Sequence, residues 1–140
     1  MEYKKIDNHY IVRIDKDEEA VSKIKELCSK ENIKCGYISA IGAAKKVEIG
    51  LFNTNTKEYK TNVKEGMFEI TSLIGNISLM DNNVYTHLHI NFSDEATNVY
   101  GGHLVSVIVS ATMEAIITVI DGEVTRAFNE EIGLNLLNIE

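Results

Sequence analysis

The 140-residue sequence contains no proline, only two cysteines, and a single basic side chain after residue 64. Without proline, low-complexity tracts or a long linker, nothing marks an internal boundary, and one domain over residues 1–140 is expected. A chain of that size buries roughly two-thirds of its unfolded surface and needs no covalent staples. There is no run of about 18 apolar residues, so no membrane-spanning helix is expected. The first residues, Met-Glu-Tyr-Lys-Lys-Ile-Asp, are too polar for a secretory leader, which leaves the cytoplasm as the expected compartment. Cys28 and Cys35 lie seven apart and form no Cys-x-x-Cys pair, so they read as free, partly buried thiols.

The shortage of basic residues is local. Residues 1–64 carry 13 basic and 10 acidic side chains, a net of +3, whereas residues 65–140 carry Arg126 against 11 acids, a net of −10. Non-specific DNA affinity comes mainly from Lys and Arg neutralising phosphates. Nucleic acid is therefore a poor expected partner for the chain acting alone.

What is abundant is β-branched and alternating sequence. Tyr10–Ile14 reads as a short strand. Asp15 and Glu18 then resemble a capping box, with Asp17, Glu18 and Glu19 at the positive end of a helix. Val21, Ile24, Leu27 and Cys28 recur at helical spacing and Asn32 is a stop, so a helix is expected over about residues 16–31. Strands are expected at 34–41, 47–53, 58–63, 68–80, 84–92 and 104–120, with shorter ones at 124–128 and 134–139. Turn signals at 53–55, 65–66, 81–83, 93–98 and 121–122 separate them. The fold class is α+β: a largely antiparallel sheet with one main helix packed on it.

Val84–Phe92 alternates cleanly. Val84, Thr86, Leu88, Ile90 and Phe92 share one face; Tyr85, His87, His89 and Asn91 share the other. Residues two apart on a strand lie about 6.6 Å apart on one face, so both imidazoles reach toward one point. If the connection 93–98 turns around Ala96, residue 89 faces residue 103, bringing His103 beside His89. Gly101 and Gly102 permit a bulge that re-aims His103. Three neutral imidazoles suit zinc or another borderline divalent transition metal, with a coordination position left open. Water on such an ion reaches a pKa of about 7. The plainer alternative is an exposed His-x-His with no ligand. His9 lies outside this cluster.

Other side chains carry weaker signals. Glu69, on a strand, is a candidate proton acceptor, with an ordinary solvated carboxylate the plainer reading. Tyr85 shares the histidine face and is either a ligand donor or a rim aromatic. Arg13 and Arg126 are candidates for an anion contact or an intersubunit ion pair, with solvated charge the simpler expectation. Gly36 and Gly42 fit tight turns or close strand packing, since no phosphate-cradling glycine motif is present.

Gly36-Tyr-Ile-Ser-Ala-Ile-Gly-Ala43, Phe68-Glu-Ile-Thr-Ser-Leu-Ile-Gly-Asn-Ile-Ser78, Thr86-His-Leu-His89 and Tyr100-Gly-Gly-His-Leu104 resemble the plant-and-prokaryote-conserved (PPC) domain in order and spacing over about residues 6–138. The resemblance implies a homotrimer and zinc bound by His87, His89 and His103. Plant members attach the domain to AT-hook DNA-binding segments; this chain has no Arg-Gly-Arg-Pro hook. The expected function is a stand-alone module that binds zinc and a small-molecule or protein ligand. The alternatives are a zinc-dependent enzyme, with Glu69 or Tyr85 assisting, and a DNA-binding transcriptional regulator.

Overall fold

The computed structural model describes residues 1–139. Its strands are β1 (Glu2–Ile6), β2 (His9–Asp15), β3 (Gly36–Asn53), β4 (Glu58–Met80), β5 (Asn83–Ser93), β6 (Val99–Val119), β7 (Thr125–Asn129) and β8 (Leu134–Asn138), and its helix is α1 (Ala20–Lys30). The sheet runs β1-β2-β6-β3-β4-β7-β8, with β5 pairing both β4 and β6. Because β6 also pairs β3, the four long strands β3, β4, β5 and β6 close a ring. All pairings are antiparallel except the single β4–β7 link at Leu79 and Thr125. The α+β class with one helix on a largely antiparallel sheet is thus what the chain adopts.

The expected elements merge. The strands expected at 34–41 and 47–53 are one, as are those at 58–63 and 68–80. Lys45 and Gly66 do not end them. Bulges at Ala40/Gly42, Ala44/Lys46 and Ile70/Ser72 absorb the breaks in pattern instead. A bulge bends a strand without ending its pairing, and strands of this length must bend to close a ring. Strand β1 carries mostly exposed polar residues and shows little alternation, which hid it.

The helix starts later than residue 16. Asp15 N–H does donate to Glu18 Oε2 at 2.9 Å, half of a capping box. However, Asp17 takes φ 70° and turns the chain away before the helix. The cap is Glu19, whose carboxylate accepts from the Val21 and Ser22 amides and also from Val107 N–H at 3.1 Å, tying α1 to β6. Ala20, Val21, Ile24, Leu27 and Cys28 then fall on the buried face. Cys28 and Cys35 are free and buried, and burial pushes the Cys28 thiol up to about 12, so it is inert at neutral pH.

Leu88, Ile90 and Phe92 of β5 point into the core with Leu73, Ile77, Leu104 and Val107, and Phe68 meets Phe92 edge-on at 5.1 Å. Full burial of one such side chain contributes about 1.5–3 kcal/mol. The opposite, outward face carries a row across the ladders: Ile11 faces Ile116, Ile116 faces Ser39, Ser39 faces Ile74, Ile74 faces His89, and His89 faces His103. Ile11, Tyr37, Ile41, Ile74 and Ile116 on this side are 43–58% exposed.

Candidate metal centre

Cross-strand pairing decides the site. His89 of β5 stands directly opposite His103 of β6, the register expected from the hairpin. His87, two residues along the same face, sits opposite Asn76 of β4. The three rings meet with centroids 5.2 Å (His87–His89), 5.2 Å (His87–His103) and 5.6 Å (His89–His103) apart. Each offers a nitrogen, and these nitrogens lie within 4.8 Å of one another. A tetrahedral zinc ion at about 2.0–2.1 Å from each ligand wants donors about 3.3 Å apart, so small ring rotations suffice.

No bulge forms at Gly101–Gly102; the β5–β6 register runs evenly through both. A side chain at Gly102 would instead crowd the Gly50 carbonyl at 3.2 Å, so the glycine lets β3 pack close beside His103. Gly75 has the same role under His87: a Cβ there would lie 2.0 Å from the His87 carbonyl oxygen.

Electrostatics keep His87 and His103 in their ligating form. Burial, then the Arg126 charge and the neighbouring rings, push His87 down to about 4. Burial and His89 lower His103 as well. Both are neutral at pH 7, the state that offers a lone pair to a metal.

The triad floors a cleft of about 620 Å³. Tyr59 presents its edge to His103 at a centroid distance of 6.1 Å, and burial raises its hydroxyl pKa. Tyr85, on the histidine face as expected, lies under the Arg126 guanidinium at 4.8 Å. Phe52 and the β8 leucines Leu134, Leu136 and Leu137 supply apolar walls.

Arg126 corrects the expectation of a solvated charge. It is half-buried, with Nε on Ser78 Oγ at 2.9 Å, Nη1 on the Asn135 carbonyl at 2.8 Å and Nη2 on Asn76 Oδ1 at 2.9 Å. Arg13 is the surface residue, paired with Glu2 and Asp15. Glu69 falls outside the cleft. It faces Ser93, seven residues along β4 from the Asn76–His87 pair, in a separate shallow depression with Ile41 and Glu114. Among the described residues no carboxylate lines the cleft. Tyr59, Phe52 and the β8 leucines come from strands with no sequence link to the histidines, and only the isolation of Arg126 in an acidic half hinted at its place.

Comparison with known proteins agrees with this fold. Residues 1–121 match the Plants and Prokaryotes Conserved (PCC) domain. A candidate DNA-binding protein from Bacteroides thetaiotaomicron superposes with a TM-score of 0.96 at 35% identity, covering 98% of this chain and 96% of its own. A metal-containing protein from Archaeoglobus fulgidus does so at 0.87 and 32%, covering 99% and 97%. A plant- and prokaryote-conserved (PPC) protein from Pyrococcus horikoshii does so at 0.86 and 32%, covering 99% and 94%. No curated protein matches the sequence. With the family's domain matched over most of its length, and relatives of this identity sharing its whole fold, the chain belongs to the Plants and Prokaryotes Conserved (PPC, or PCC) domain family.

Proposed function

We propose that this PPC-domain protein assembles as a homotrimer, holds a zinc ion on His87, His89 and His103, and uses the cleft above the ion to bind a small molecule or a protein partner. The observation that carries the reading is the convergence of three imidazole nitrogens within 4.8 Å. The Archaeoglobus relative, described as metal-containing, supports it. Three protein ligands leave one position for an exogenous donor, and zinc held so acts as a Lewis acid. Other borderline divalent ions suit the same donors. The outward apolar side at Ile11, Ile41, Ile74 and Ile116 supports self-association, because its row runs on to His89 and sets the centre beside the contact.

Elemental analysis of the purified protein is expected to give about one metal per chain, and light scattering a trimer. His87→Ala is expected to remain a trimer and lose the metal. A trimer that stays metal-free after zinc addition defeats the metal reading.

A second reading, a zinc-dependent enzyme, is favoured by the open cleft over the triad. Tyr85 is the assisting residue that remains at the site. Turnover of a panel of small molecules that vanishes in His87→Ala would establish it; binding without turnover favours the module. The DNA-binding description of the Bacteroides relative transfers poorly, since the half of the chain that builds most of the cleft carries a net of −10.

A further inference from the structure

Arg126 is the one basic residue in the last 76 positions, and it sits at the histidine cleft. It has no carboxylate partner within 4 Å among the described residues. Its three hydrogen bonds go to neutral acceptors, Ser78, Asn76 and the Asn135 carbonyl. A guanidinium has five N–H donors, so one on each terminal nitrogen is uncommitted, and such a fork matches a carboxylate. Burying a cation without a counter-ion is costly unless something else compensates. The chain's other guanidinium, on the surface at Arg13, is paired with Glu2 and Asp15. The place of Arg126 is also defined relative to the metal centre: Asn76, which accepts from its Nη2, is the cross-strand partner of His87. The remaining walls, Phe52, Leu134 and Leu136, are apolar.

We infer that the cleft binds a small organic carboxylate: the carboxylate on Arg126, a neighbouring oxygen donor toward the histidine centre, and an apolar substituent against Phe52 and the β8 leucines. This rests on the metal reading above for the second contact only. Arg126 and the leucine wall both belong to the β7–β8 hairpin, so the ligand preference is set there.

The test uses mandelate and its neutral counterpart mandelamide, titrated calorimetrically into protein whose zinc content has first been measured. Mandelate is expected to bind zinc-loaded protein about tenfold or more tighter than mandelamide, the scale of charge-assisted hydrogen bonds. In Arg126→Gln the preference is expected to disappear with zinc content unchanged. Because Arg126 also ties β7 to β4, a second measurement uses the unaltered protein: the Arg126 side-chain N–H resonance shifts with mandelate and not with mandelamide. Equal binding of the two, a preference that survives in Arg126→Gln, or a resonance indifferent to mandelate overturns the inference. Zinc uptake without a preference for mandelate defeats the carboxylate site alone. Failure to take up zinc defeats the metal reading alone, and the same titration of the metal-free chain then decides the Arg126 contact.

Discussion

Glu31 shows how single side chains at the rim of the fold set its response to acid. It accepts from Tyr3 at 2.8 Å and Tyr10 at 3.0 Å, joining the end of α1 to β1 and β2. Those hydroxyls hold its carboxyl below the usual glutamate value. The unfolded chain therefore takes up the proton first as pH falls. The stability this group contributes is full above its ordinary pKa, about 4.3, and is lost as pH drops through the lower folded value. Glu31→Gln is expected to be less stable than the parent at pH 7 and to approach it at pH 3. Urea unfolding at the two pH values measures the difference; a gap that widens in acid contradicts the assignment. His87 in the histidine cluster follows a different rule, since it is kept neutral by burial and by Arg126 rather than by a hydrogen bond from a partner.

Among the elements, the β7–β8 hairpin stands apart. It contributes no residue to the buried hydrophobic cluster, and it is tied to the rest by one ladder position with β4, the Val124 carbonyl accepting from Leu79 N–H, the Arg126 contacts, and Lys57 Nζ donating to the Glu131 carbonyl. Its Leu134, Asn135, Leu136 and Leu137 nonetheless form one wall of the site. Terminating the chain after Gly122 is expected to leave a cooperatively folded sheet that still takes up zinc, because β5 and β6 position the histidines without it. Circular dichroism on heating and elemental analysis check this. Loss of the fold would show that the hairpin supports the core. Strands β3 and β4 differ in this respect: their bulges bend the ring that holds β5 against β6.

At the scale of the whole molecule, the outward apolar side is the feature a monomer leaves unexplained. Ile116 lies at its centre, between Ile11 of β2 and Ser39 of β3, and is half-exposed. If the proposed trimer forms through this side, Ile116→Glu is expected to dissociate it into folded monomers, seen by light scattering with an unchanged circular dichroism spectrum, because the substitution places charge on the proposed contact and none in the core. A variant that remains trimeric moves the interface elsewhere.

Much of this was readable from local pattern. Alternation in Val84–Phe92 put His87 and His89 on one face, and a hairpin of fixed length set His89 against His103, because strand period and turn length are local properties. Helical spacing of Val21, Ile24, Leu27 and Cys28 likewise marked α1, though not its start, which a left-handed Asp17 displaced. Ring closure, the bulges that replaced expected turns, the removal of Glu69 from the site and the arrival of Tyr59 and Arg126 depended on which distant strands lie side by side. No periodicity along one strand encodes that choice. It is decided by how long bent strands pack around a shared core, and it is there that the cleft acquires its charge and its walls.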